Sequence, residues 1–261
     1  HVVAMTGDGV NDVLALKEAD CSVAMAAGSA AARNVAEIVL ADNDFAHMPE
    51  VVDEGRRSIN NLERSASLFL VKTVFSALLA LVCILLPPYP FIPIQMTLIS
   101  SAIIGIPSFV LALEPNHERV RGEFLANVLR RSLPASAAIV LALVSVQAFE
   151  RIAGLTFGEA STLSMYLTGI VGIALIIKIS QPLTPLRCAL LVFVVGMLLG
   201  GSIMFRDFFK LAPFSGTMAV FLGVAGIAAL ALFLFLYARL NEIEGTDDPV
   251  ASLVRKLKER A

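Results

Sequence analysis

The residues best equipped to do chemistry fall in one short stretch, Thr6-Gly7-Asp8-Gly9-Val10-Asn11-Asp12. Two carboxylates and an amide within five residues offer the hard oxygen ligands that Mg²⁺ takes beside a phosphate. Gly7 and Gly9 flank Asp8, so the backbone can turn tightly there and leave that carboxylate uncrowded. An apolar, β-prone run, Val2 to Met5, precedes the stretch, and a helical pattern from Asn11 to Ala19 follows it. That order puts the turn at the carboxyl end of a strand, where α/β sheets bind their ligands. Asp-Gly and Asn-Asp alone are ordinary turn and cap residues. The whole string is what points to a metal and phosphate site.

A second group of polar residues lies inside long apolar runs, where polar atoms are costly and therefore candidates for function. Lys72, Thr73 and Ser76 share one run; Gln95, Thr97, Ser100, Ser101 and Ser108 share the next. In the latter, Gly105-Ile106-Pro107 is predicted to break the helix and free backbone carbonyls. Neither run holds an Asp or Glu, so a cation site there would lean on carbonyls and hydroxyls. Lys72 has two readings: an ammonium beside an ion path acting as a built-in counter-charge, or a side chain that snorkels to the interface. Lys178 reads as a snorkelling anchor, and Thr97, Ser100 and Ser101 read equally well as small residues that let helices approach closely.

The elements that must hold these residues divide near Arg64. Before it, apolar runs at Val2–Met5, Cys21–Met25 and Ile38–Leu40 alternate with helical patterns at Asn11–Ala19 and Ser29–Ala36. This predicts one edge of a parallel α/β sheet, too small to stand alone. Glu50 to Arg64 should be a helix running straight into the apolar region. Beyond it come six stretches near the ~20 residues needed to cross a bilayer: Ala66–Leu86, Ile92–Leu113, Leu133–Ile152, Leu163–Ile179, Leu186–Met204 and Phe214–Leu240. The expected organisation is 1–64, an α/β edge plus stalk helix; 65–241, an all-α membrane domain of six helices; and 242–261, a tail.

Composition agrees. Of the 261 residues, 57% are hydrophobic and 16% charged, and the net charge is -2. So apolar a chain needs a lipid bilayer as partner, and so unbasic a chain lacks the footprint of a nucleic-acid binder. With alternating spans, Arg56, Arg57, Arg64, Arg119, Arg121, Arg130, Arg131, Arg187, Arg239, Arg255, Lys256, Lys258 and Arg260 gather on one side. The positive-inside rule makes that side cytoplasmic, with residues 1–64 and the tail on it, in a multi-pass protein of the cell membrane. Cys21, Cys83 and Cys188 have no zinc-ligand spacing and read as reduced thiols; His117 reads as a solvated loop residue.

The stretch TGDGVNDVLALKEADCSVAMAAGSAAARNVAEIVLADNDF resembles the hinge motif of P-type ATPases, members of the haloacid-dehalogenase superfamily, over some forty residues without a gap. RRSINNLERSASLFLVKTVFS resembles the stalk and start of their fifth membrane helix, and six spans after the hinge is the count of calcium- and proton-pump-like members. The resemblance implies an ATP-driven cation transporter working through an aspartyl phosphate. Asp8 would ligate Mg²⁺, Asn11 would hydrogen-bond the transferred phosphoryl group, and Asp12 would hold the metal's shell from the second position. The family's phosphorylated aspartate stands in a DKTGT string, which this sequence lacks. The resemblance therefore implies that the nucleophile, most of the ATP site, the actuator domain and four further spans belong to a part preceding His1. The chain alone is then expected to be inactive. The resemblance implies Ca²⁺ or another small inorganic ion as the cation; in calcium-pump-like members Asn and Asp stand where alignment on Gly105 and Pro107 puts Ser100 and Ile104, a departure that tells against calcium specificity. Another reading is a truncated, non-catalytic membrane protein that keeps the hinge motif.

Overall fold

The structure, a computed structural model, describes residues 2–242; the expected tail, with Arg255, Lys256, Lys258 and Arg260, lies outside the described residues except for Glu242. The chain divides into two compact units, His1–Gly55 and Arg56–Ala261.

In the first unit, β1 (Ala4–Gly7), β2 (Cys21–Met25) and β3 (Ile38–Leu40) form a parallel sheet in the order β1-β2-β3. Ala4 lies opposite Cys21, and Val23 opposite Ile38. Parallel neighbours need a crossover, which α1 (Val13–Glu18) and α2 (Ala30–Val35) supply. Leu16, Ala24 and Ala32 are buried together and join both helices to the central strand. The Ser29 hydroxyl caps α2 by accepting the Ala32 N–H at 3.1 Å, satisfying one donor left over at the helix start. After β3, Asp42 accepts the Asp44 N–H at 3.2 Å and Asp44 accepts the Ala46 N–H at 2.8 Å. Such side-chain turns end the strand and lead into helix. Asp42 also pairs with His47. The Asp44 N–H and the imidazole hold the Asp42 carboxyl below its ordinary range, and the hydrogen bond to Asp42 raises His47.

Helix α3 (Met48–Leu85) is a single run of 38 residues, so the expected stalk and first span are one element. The second span is α4 (Pro93–Ile99), a π-helical turn (Ser100–Gly105) and α5 (Ile106–Leu113). The predicted break at Gly105-Ile106-Pro107 is thus a wider turn and not an interruption. Pro107 has no N–H to return to the preceding turn, and the Ile106 N–H reaches back to Ser101 O. Four more helices follow: α6 (Phe124–Ala153), α7 (Phe157–Ile179), α8 (Pro185–Met204) and α9 (Gly216–Glu242). Six described helical stretches are long and apolar enough to cross a membrane. Their outward faces carry Phe69, Leu81, Ile84, Phe193, Val224 and Phe235 exposed, far more apolar surface than water tolerates on a monomer. Inside, Phe75, Leu79, Ile139, Leu143, Leu167 and Phe233 pack in one core. Several buried hydroxyls are satisfied within their own helix, as Ser164 and Thr168 are by donating to Ala160 O and Ser164 O, each at 2.8 Å, because hydrocarbon offers no water.

One end of this unit is closed by buried charge. Glu114, just past α5 and 7% exposed, accepts from Arg187 Nε at 2.7 Å and lies 3.5 Å from Arg64 Nη1; both arginines are 5% exposed. The Thr184 hydroxyl donates to the other Glu114 oxygen at 3.2 Å, and Arg187 Nη1 donates to Ser180 O at 3.2 Å and Pro182 O at 2.6 Å. One carboxylate therefore ties α3, the end of α5 and the start of α8. Removing one member of a buried pair strands the other charge. Glu114→Ala should cost about 3–5 kcal/mol, seen as a lower midpoint in a thermal melt of the detergent-solubilised chain. An unchanged midpoint would mean that the two guanidiniums are held by other groups.

Candidate functional site

The Asp8 loop leaves β1 at Gly7, passes through a 3₁₀ turn (Val10–Asp12) and enters α1. Its shape is held by Asp12, whose Oδ2 accepts the N–H groups of Asp8 at 3.1 Å and Gly9 at 2.9 Å. The Asp12 N–H in turn donates to Gly9 O at 3.3 Å, a reciprocal pairing like a capping box. Gly7 is there because Asp12 folds over it: a Cβ on Gly7 would sit 2.6 Å from Asp12 Cβ. From the other side, Ser29 N–H donates to Asp8 O at 2.7 Å, and a Cβ on Gly28 would sit 2.8 Å from that oxygen. The backbone of Asp8 is pinned on both sides. Its carboxylate is exposed and has no hydrogen-bond partner among the described residues, and Asn11 is exposed as well.

The two carboxylates therefore have different uses: Asp12 spends an oxygen on the loop, and Asp8 is left for a ligand. Among the described residues no three His, Cys, Asp or Glu side chains gather as a metal cage. The donor set fits Mg²⁺, which keeps several waters and is held by one or two carboxylates plus phosphate oxygens. It does not fit an ion that needs a complete protein cage.

The membrane candidates do not form one cluster. Lys72 Nζ donates to Ser100 Oγ at 2.8 Å, so the ammonium meets the π-helical turn of the second span. Beside it is a recess of about 20 Å³ lined by Phe75, Ile103, Ile104, Thr168 and Gly172. Ser101 is half-buried in the same π-helical turn, while Gly105, at its end, is exposed and Pro107 buried. Thr73 is exposed and donates to Phe69 O at 3.2 Å, and Thr97 is exposed. Ser76 is half-buried, and buried Gln95 bonds the Ser161 hydroxyl. Lys178 lies over the Tyr237 ring at 5.9 Å, a cation resting on an aromatic face.

Sequence reasoning passed over the polar residues that join α3 to the α5–α6 connection. Asn61 Nδ2 donates to Ala112 O at 3.0 Å and Glu114 O at 2.8 Å, satisfying carbonyls at the end of α5 from a neighbouring helix. Asn60 Nδ2 donates to Glu118 O at 2.8 Å. Glu63, itself buried, accepts from Asn127 at 2.9 Å and pairs with Arg131 at 3.5 Å. A signal existed: adjacent asparagines are poor choices for a helix interior unless their amides have other work.

The close approach of Gly7 and Asp12 can be tested directly. In Gly7→Ala the methyl must push Asp12 away, an overpacking cost of about 1–3 kcal/mol. Exchange of the Asp8 and Gly9 amides, followed by hydrogen-deuterium exchange, should quicken by about tenfold or more. Unaltered protection would show that the loop absorbs a methyl and that Gly7 is not required by Asp12.

No protein-family model matches the chain. Curated relatives do. It is 40% identical over 239 residues to a probable cation-transporting ATPase, exp7, of Streptococcus pneumoniae, covering 88% of this chain and 31% of that protein. It is 52% identical over 153 residues to the calcium-transporting ATPase CtpE of Mycobacterium tuberculosis, covering 54% of this chain and 19% of that protein. With CtpE of Mycolicibacterium smegmatis it shares 50% over 150 residues, 53% of this chain and 19% of that one. The chain thus spans about a third or less of the length of the curated relatives it matches. With a hinge-type Asp8 loop on a parallel sheet, six membrane-capable helices and relatives of this kind, the chain is a multi-pass membrane segment belonging to the P-type ATPase family.

Proposed function

We propose that the chain is the carboxyl-terminal portion of an ATP-driven cation transporter that works through an aspartyl-phosphate intermediate. The observation that carries this reading is the division of labour in the Asp8 loop: the Asp12 carboxylate holds the backbone on which an unpartnered Asp8 carboxylate is presented. Phosphoryl transfer depends mainly on positioning and on neutralising charge that develops on oxygen. Asp8 would hold Mg²⁺, which when bound would supply positive charge against phosphate oxygens. Asn11 donates its amide to the phosphoryl group. Asp12 fixes the turn, and its remaining oxygen would hold the metal's shell from the second position.

In this reading residues 1–64 close the phosphorylation domain and lead into the stalk, 65–241 are the last six spans, and 1–64 and 242–261 face the cytoplasm. The phosphorylated aspartate, most of the ATP site and the remaining spans lie on the missing amino-terminal part of the same pump, so this chain alone turns over no ATP. The transported ion is Ca²⁺, as the names of the mycobacterial relatives suggest, or another small inorganic cation. Ser100, Ser101, Thr97, Thr73 and Ser76, with carbonyls near Gly105 and Pro107, are the candidate path residues. Lys72 bonds a hydroxyl there and has no carboxylate partner among the described residues. It supplies positive charge that an entering cation must meet or displace.

In the complete pump, Asp8→Asn should lower phosphoenzyme formed from labelled ATP by a factor of at least about 10², the scale of losing one group that stabilises transferring charge. A wild-type phosphoenzyme level would remove Asp8 from the site. Lys72→Met should shift the cation concentration that half-activates ATPase activity while leaving protein abundance in the membrane unchanged. If a screen of Ca²⁺ and other cations gives the wild-type profile, Lys72 only packs and hydrogen-bonds.

A further inference from the structure

The second unit contains, apart from the recess beside Lys72, a cleft of about 530 Å³ whose walls include Arg119, Arg121, Arg130 and Arg131, with Glu63 and Glu118 as its acidic members. Glu63 is already spent: it is buried, accepts from Asn127 and pairs with Arg131. Asn127 also donates to Arg121 O at 2.7 Å, so the connection bearing Arg119 and Arg121 is anchored to α6 and cannot simply swing away. The side chains of Arg119 and Arg121 have no acidic partner among the described residues. Among the described residues the lining thus offers Arg119 and Arg121 with no carboxylate spent on them, and guanidinium forks match the oxygens of phosphate.

Depth selects among anions. Asn60 and Glu63 precede the apolar part of α3, Arg130 and Arg131 precede that of α6, and Asn241 follows that of α9, and all five line the cleft. The cleft therefore lies at the boundary between hydrocarbon and headgroups, at one end of the helical bundle. Leu62, Phe124 and Leu125, neighbours of these residues in sequence, are exposed and apolar. A cationic pocket at this level, with apolar side chains beside it, is built as headgroup sites are. A smaller polar recess of about 120 Å³ continues from it through Asn60, Glu118 and Arg131 to Lys178.

We propose that this cleft binds a phosphate-bearing anion, drawn either from an anionic lipid headgroup or from free phosphate. The proposal does not depend on transport. It can be read on the full chain purified in neutral detergent, with native mass spectrometry counting retained dioleoyl phosphatidylglycerol against dioleoyl phosphatidylcholine. Phosphatidylglycerol should be held preferentially, and Arg119→Gln/Arg121→Gln should weaken it by about thirtyfold, roughly a factor of five for each arginine near the headgroups. Arg56→Gln/Arg57→Gln, outside the cleft on the same end of the unit, should leave it unchanged. Retention that resists inorganic phosphate at about ten times the lipid's Kd identifies the lipid as the source. Displacement by inorganic phosphate identifies the free anion. No preference for phosphatidylglycerol together with no retention of inorganic phosphate overturns the proposal, as does an equal loss in the two double variants, which would reduce the effect to general surface charge.

Discussion

One end of the helical unit is organised around the buried carboxylate of Glu114. Glu114 takes a hydrogen bond from Arg187 and a second charge from Arg64, so α3, the end of α5 and the start of α8 meet at one point. Two guanidiniums about one carboxylate leave net positive charge in a place with little water, and the excess is spread onto the carbonyls of Ser180 and Pro182. Such a cluster contributes less to net stability than to uniqueness of arrangement, because any other packing of these helices would strand at least one ion. The same end carries the polar clefts. A bundle whose hydrocarbon-facing sides are smooth and apolar thus has its orientation information concentrated where its helices enter water.

At the Asp8 loop the logic is different, since nothing is buried deeply. Order comes from backbone donors converging on one oxygen of Asp12 and from glycines that permit the approach. A carboxylate used in this way cannot be exchanged for an amide at no cost, because an amide oxygen is the weaker acceptor for two N–H groups. Asp8 is spared that duty. An exposed carboxylate on a rigid backbone is preorganised for a cation without having been desolvated first, which suits an ion that arrives with its own water and phosphate.

Much of this was legible in the sequence, for reasons tied to particular residues. Cys21–Met25 and Ile38–Leu40 stand as read, since short apolar runs between turn residues have few alternatives. The start of α6 was not. The helix begins at Phe124, ahead of the apolar run from Leu133, because Arg130 and Arg131 look like loop residues to a hydropathy scan while being good helix formers. Arg64 and Arg187 were legible as charges near a boundary but not as partners of Glu114, which lies 50 and 73 residues away in sequence. Periodicity reports depth and face. Pairing across such separations depends on helix order, which one sequence does not encode locally.

Helix α3 shows how depth and chemistry are matched along one face. Asn61, Arg64, Leu68, Lys72, Phe75 and Leu79 recur every three or four residues and so share a stripe. It begins with amide and guanidinium contacts to the α5 end, passes through one ammonium on Ser100, and finishes in buried hydrocarbon. Lys72 lies eight residues beyond Arg64, about 12 Å deeper at 1.5 Å per residue. That is beyond the reach of Glu114, so the ammonium has only a hydroxyl for a partner at the level where the second span widens into a π-helical turn. A turn of that kind displaces side chains and carbonyls from the regular helical register, and such turns cluster at functional sites. Lys72, half-buried and bonded to a hydroxyl instead of a carboxylate, therefore sits where the neighbouring helix departs from α geometry. Fixed positive charge and an irregular backbone thus meet at one level of the bundle.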